Sequence, residues 1–182
     1  MLQRYGKIVL FLLILNNISC NQNNSKTMSS DTKIAVGVKA PLFSLPDQDG
    51  KLVNLSDFLG KTNLVVYFYP KDETYGCTKE ACSFRDSYED FKEAGAEVIG
   101  ISADDEASHR AFSAHHKLPF ILLSDKDKKV AASYNVKKSL GILPGRVTYV
   151  IDKAGTIRMI YSSQFNFDKH IQEAIAILKE LK

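Results

Sequence analysis

Residues 63 to 95 read NLVVYFYPKDETYGCTKEACSFRDSYEDFKEAG. The opening run, Asn63 to Tyr69, is β-branched and aromatic and stops at Pro70, as a buried central strand does. From Thr78 to Ala94 the apolar residues Ala81, Phe84, Tyr88 and Phe91 recur at helical spacings. Lys79, Arg85, Asp86, Glu89 and Lys92 occupy the rest of the wheel, and Gly95 ends the helix. Strand, polar turn and amphipathic helix therefore follow one another, with Cys77 at the first turn of the helix.

The same alternation continues downstream. Glu97 to Ser102 predicts a strand, Glu106 to His116 a helix stopped before Pro119, Phe120 to Leu123 a short strand, and Asp127 to Tyr134 a helix with Asn135 near its end. Arg146 to Asp152 and Thr156 to Tyr161 predict two strands joined by a turn through Lys153, Ala154 and Gly155. A last helix carries Ile171, Ala174, Ile175, Leu178 and Leu181 on one face. Strands alternating with helices, closed by a late hairpin, give an α/β fold with a mixed sheet flanked by helices.

Upstream, Arg4 and Lys7 precede an unbroken apolar run from Ile8 to Leu15, followed by Asn16, Asn17, Ile18, Ser19 and Cys20. Eight apolar residues are too short for a bilayer, which takes about 20, and the layout is that of a secretory signal peptide. Residues 1–20 resemble a bacterial lipoprotein signal, in which a small residue precedes a cysteine that is lipidated. Ser19 and Cys20 fit that pattern, whereas Asn17 stands where leucine is usual. Lipidation of Cys20 is the expectation, with an anchor on the periplasmic side of the cell envelope; the alternative is a cytoplasmic protein whose signal is not used. Residues 21–33 are almost entirely polar and read as a flexible linker, which leaves 34–182 as one domain.

Composition narrows the function. The 182 residues are 45% hydrophobic and 25% charged, with 24 basic against 21 acidic side chains scattered along the chain. Disordered and fibrous classes are excluded, and no basic stripe offers itself to nucleic acid. Three cysteines are too few for a disulfide-stapled scaffold.

Cys77 is where chemistry is expected. Unpaired amides and the positive end of the helix dipole favour a thiolate at a helix start and can hydrogen-bond a substrate oxygen. Thr74 adds a hydroxyl that both donates and accepts, or else caps the helix. Cys82 follows five positions later, which in an intact helix places the two Cα atoms roughly 8.7 Å apart; a disulfide needs less than about 7 Å. Either Cys82 is a core residue or the first turns unwind during reaction.

The run YPKDETYGCTKEACSFRD, residues 69–86, resembles the active-site segment of the peroxiredoxin Q group, also called bacterioferritin comigratory proteins. Pro70, Thr74 and Cys77 meet its Pro-x-x-x-Thr-x-x-Cys signature, and Tyr75 stands where proline is common. The likeness extends through Ala40–Leu45, Ile101–Asp104, Ser108–His109, Leu118–Asp125 and Gly145–Asp152. It implies a thioredoxin-like fold, a thiol peroxidase acting on hydrogen peroxide or organic hydroperoxides, a thioredoxin-like dithiol as reductant, no cofactor and a monomer. Carried over by position, Cys77 is the peroxidatic and Cys82 the resolving cysteine, Arg146 lies beside the thiolate, and Glu80 orients the arginine. A surface role for Arg146 and plain exposure of Glu80 are the alternatives.

Two other readings stand beside this one. A one-cysteine cycle would leave Cys82 structural. A metal-binding or interaction module in the envelope could draw on Cys77, Cys82, His109, His115 and His116, but no second short thiolate pair completes a zinc pattern. His115 and His116 suit a helix C-terminus, where positive charge is favourable, so no metal is expected.

Overall fold

The computed structural model describes residues 33–138 and 145–181. The expected signal, Cys20 and nearly all of the linker lie outside the described residues. Five strands form the central sheet in the order β5-β4-β3-β6-β7: β3 (Asn63–Phe68), β4 (Ala96–Ser102), β5 (Ile121–Ser124), β6 (Val147–Ile151) and β7 (Ile157–Ser162). The first three run parallel, and β6 is antiparallel to both β3 and β7, so the sheet is mixed as expected. Among the described residues no helix is long and apolar enough to cross a membrane.

The continuous apolar run of β3 is explained by cover on both faces. Val65, Tyr67 and Tyr69 enter a core with Phe84, Phe91, Phe112, Ile171 and Leu178, contributed by helices. Leu64, Val66 and Phe68 point the other way, into a core with Phe43, Leu45, Leu55, Tyr134 and Tyr149. All six residues of β3 are buried, the situation in which a strand loses its alternating pattern.

One predicted helix is two. α1 spans Tyr75–Asp86 and α2 spans Tyr88–Glu93, separated by Ser87 at φ −103° and ψ 12°. Apolar spacing runs through the break because Phe84 and Phe91 both pack on the same core, so periodicity alone misses it. The remaining helices are α3 (Glu106–His116), α4 (Lys129–Ser133) and α5 (Phe167–Glu180). A further pair, β1 (Ser44–Pro46) and β2 (Leu52–Asn54), forms an antiparallel hairpin that the sequence reading lacks. Its strands are three residues long, too short for a pattern of alternation, and Asp47 closes the turn by accepting hydrogen bonds from the amides of Asp49 and Lys51, both at 2.9 Å.

Candidate active site

The loop between β3 and α1 is fixed by a buried polar cluster. Asp72, only 4% exposed, receives hydrogen bonds from the Tyr69 hydroxyl at 2.8 Å and the Ser108 hydroxyl at 2.8 Å, and faces His109 Nδ1 at 2.9 Å. The other ring nitrogen of His109 lies 3.1 Å from the carbonyl of Leu123. Burial pushes the Asp72 carboxyl up, but the hydrogen bond from His109 and its charge, with those from Tyr69 and Ser108, bring it below the usual carboxylate range. The Asp72 amide donates to Asp104 Oδ2 at 3.0 Å, and that oxygen also accepts from Ser102. The loop is thus bonded to α3 and to the end of β4 before α1 begins.

Thr74 occupies the N-cap position with extended backbone angles, but its side chain does not cap the helix. Its hydroxyl donates instead to the Lys71 carbonyl at 3.0 Å, closing the turn and leaving oxygen lone pairs able to accept. α1 starts three residues earlier than its apolar spacing suggests, with Tyr75 first and 82% exposed. Cys77 remains in the first turn, 1% exposed.

Arg146, immediately before β6, reaches the sulfur. Its Nη2 donates to Cys77 Sγ at 3.3 Å while Nη1 binds Glu80 Oε2. Glu80 lies three residues after Cys77, so both project from one face of α1. Arg146 is 4% exposed and Glu80 fully buried, which removes the surface reading for each. The guanidinium also lies over the Phe167 ring, 5.0 Å from its centroid. Gly76 suits this crowding: a Cβ there would lie 3.0 Å from Phe167 Cζ and 3.3 Å from Arg146 Nη2, so both side chains would have to give slightly.

Electrostatics couple the three groups. Burial opposes the Arg146 charge, yet Glu80 and Cys77 outweigh it and keep the guanidinium protonated. Burial pushes Glu80 up to about 7, against the pull of Arg146.

Sequence reasoning missed His170. From α5 its Nδ1 lies 2.7 Å from Thr148 Oγ1 and 3.7 Å from Glu80 Oε1, and its Nε2 lies 3.0 Å from the Ser163 carbonyl. A carbonyl only accepts, so Nε2 carries the proton and the Thr148 hydroxyl donates to Nδ1. Burial lowers the pKa of His170 to about 4, which keeps the ring neutral at pH 7 and adds no second cation beside Glu80. A histidine in an otherwise apolar stripe with Ile171, Ala174 and Leu178 is the signal that could have found it.

Cys82 is partly buried on the same unbroken helix, and both thiols are free. The intact helix keeps their Cα atoms roughly 8.7 Å apart, so bonding requires local unwinding. Pro70 lines a cavity of about 220 Å³ with Phe68, Ile101, Ala131 and Val136, which Thr74, Cys77 and Arg146 do not line. His115 and His116 do end α3, but they also contact Glu73 rather than the cysteines. The arrangement offers a sulfur nucleophile at a helix start, a fixed cation beside it and a second thiol in reach after unwinding.

Comparison with known proteins gives a consistent picture. Residues 36–160 match the profile of the AhpC/TSA family. The chain is 57% identical over 150 residues to the chloroplastic peroxiredoxin Q of Suaeda salsa, covering 82% of this chain and 70% of that protein. With the chloroplastic peroxiredoxin Q of Arabidopsis thaliana it shares 57% identity over 148 residues, covering 81% and 68%. Among solved structures, the peroxidoxin BcpB of Mycobacterium tuberculosis superposes with a TM-score of 0.76 at 37% identity, covering 82% of this chain and 99% of that one. Peroxiredoxin Q of Xanthomonas campestris gives 0.70 at 29% identity, covering 76% and 90%.

Proposed function

The chain belongs to the AhpC/TSA family, in its peroxiredoxin Q group, and on that premise we propose that Cys77 is the peroxidatic and Cys82 the resolving cysteine of a two-thiol cycle. The protein is a thiol-dependent peroxidase that acts on peroxides and is recycled by a thioredoxin-type reductant. The observation that carries the residue assignment is the 3.3 Å contact from Arg146 Nη2 to a buried Cys77 Sγ in the first turn of a helix.

The Cys77 thiolate attacks one peroxide oxygen and the O–O bond breaks. The sulfur takes that oxygen as a sulfenic acid, and the other oxygen leaves as water or an alcohol once protonated. Arg146 opposes the charge that passes from sulfur to the leaving oxygen, and helix-start amides with the Thr74 hydroxyl hold the peroxide in line. Glu80 positions the guanidinium, with Phe167 against its face and His170 behind the carboxylate. The first turns of α1 then unwind, the Cys82 thiolate attacks the sulfenic sulfur, water leaves, and an intramolecular disulfide forms for an external dithiol to reduce. The chemistry needs no cofactor.

After one equivalent of hydrogen peroxide, peptide mapping by mass spectrometry should find a Cys77–Cys82 linkage in the full chain. Cys82→Ser should instead accumulate the sulfenic acid and overoxidise to the sulfinic acid at low peroxide excess. Absence of the linkage in the wild type would replace this cycle with a one-cysteine cycle in which Cys82 is structural.

The reading extends to location. Residues 1–20 act as a lipoprotein signal and 21–33 as a tether, which places a monomeric peroxidase domain, 34–182, on the periplasmic side of a bacterial envelope. Electrons must then come from a thioredoxin-like partner in the envelope or through the membrane. Labelling of cells with radioactive palmitate should mark the protein, and Cys20→Ala should lose the label; a label independent of Cys20, or none, defeats the anchor.

A further inference from the structure

Glu73 immediately precedes the N-cap Thr74 and is held in the left-handed region at φ 56°, a conformation non-glycine residues adopt at a cost. Across from it, α3 ends at His116, because Lys117 turns left-handed at φ 52°. Three side chains converge here. His115 Nδ1 is 3.0 Å from Glu73 Oε1 and His116 Nε2 is 3.1 Å from Oε2. The imidazole centroids are 4.3 Å apart, and the three donor atoms lie within 4.8 Å of one another. No other such group of histidine, cysteine and carboxylate side chains occurs among the described residues.

Two imidazole nitrogens and one carboxylate oxygen are a common protein donor set for zinc, which binds them at about 2.0–2.2 Å in a tetrahedron whose edges are therefore roughly 3.3 Å. Each nitrogen already stands near that edge length from one of the two Glu73 oxygens, Oε1 for His115 and Oε2 for His116, so the carboxylate can offer either oxygen to the ion. His116, with a side chain 15% exposed, is steadied by an edge contact with Phe112, their centroids 4.9 Å apart. Glu73 and His115 are 49% and 68% exposed, which gives the ion an entry path and leaves the fourth position to water.

We propose that Glu73, His115 and His116 form a site for a divalent transition metal of the zinc class that clamps the active-site loop to the end of α3. The same end of α3 already holds the far flank of the reactive segment, since Arg85 Nη1 donates to the His116 carbonyl at 2.9 Å. Cys77 and Cys82 both lie between Glu73 and Arg85. Metal at the site replaces the two exposed hydrogen bonds of Glu73 on the near flank with coordination, and so slows the unwinding that brings the two sulfurs together. That consequence rests on the two-thiol cycle; the binding does not.

The full chain with Cys20, Cys77 and Cys82 all replaced by serine removes thiolate competition. Titrated with Zn2+ in a calorimeter, it should bind one ion per chain, and Glu73→Gln, His115→Ala and His116→Ala should each weaken binding at least tenfold. No saturable binding, or binding indifferent to these substitutions, overturns the site. In the wild-type chain, one equivalent of Zn2+ should slow formation of the Cys77–Cys82 disulfide severalfold after peroxide, and His115→Ala should remove the slowing. An unchanged rate with Zn2+ bound overturns the clamp. If no disulfide forms even without metal, the two-thiol cycle is what fails, and the titration still decides the site.

Discussion

Cys77→Ser is expected to abolish peroxide consumption by the full chain with a thioredoxin system, a loss of about 10³-fold or more. Serine fits the space of cysteine, so the fold and the contacts around Arg146 persist, and far-UV circular dichroism should overlay the wild type. What disappears is the nucleophile, because a hydroxyl does not ionise near neutral pH and attacks peroxide oxygen far less readily than a thiolate. Cys82 is no substitute. It lies five residues along the same helix, turned about 140° away from Cys77, whereas the guanidinium contacts the sulfur of Cys77. Undiminished peroxidase activity in Cys77→Ser, followed by peroxide loss over time, would overturn the assignment.

The sequence exposes this cysteine more clearly than its surroundings because its signals are local. The β3 run is continuous where both faces of the strand are covered, and the proline, polar turn and amphipathic helix after it are all neighbours in sequence. The groups that make the turn rigid are not. Asp72 reads as one more polar loop residue, yet it is buried by Ser108 and His109, more than 35 positions away. Glu80 likewise reads as a first-turn acid equally at home in solvent. It is buried because Arg146 arrives from the start of β6 and α5 brings Phe167 and His170 against the pair. Burial of a charged side chain is set by which elements pack over it, and periodicity along one helix carries no record of that. The break at Ser87 was hidden for the converse reason: both halves of the helix serve one core, so the apolar spacing outlasts the hydrogen-bonded helix.

Arg146→Met is expected to lower the rate of peroxide reduction by about 10²–10³-fold, the usual consequence of removing one preorganised group that meets transition-state charge. It should also cost up to about 3–5 kcal/mol of stability at alkaline pH, because Glu80 is left buried without its partner. The two losses separate by pH. Burial raises the folded-state pKa of Glu80 from 4.5 to about 7 even with Arg146 present, and removal of the cation raises it further. The folded protein then holds a proton that the unfolded chain has released, so stability falls as pH rises from about 4.5 through the folded value. The destabilisation read from urea unfolding should therefore be largest above pH 7 and small well below pH 4.5, where Glu80 is neutral in both states. Adding Glu80→Gln should recover most of the stability lost above pH 7, by replacing a carboxyl that must either take up a proton or bury an unpaired charge with a neutral amide. It should not recover the rate, since no cation faces the Cys77 sulfur in either variant. Arg146→Lys sharpens the distinction: it retains a positive charge but offers a single ammonium where the fork of the guanidinium meets both Sγ and Oε2, so stability should suffer less than rate. If the double variant regained wild-type peroxidase activity along with its stability, Arg146 would be a structural partner of Glu80 alone, and stabilisation of the reacting sulfur would have to come from the amides at the start of α1.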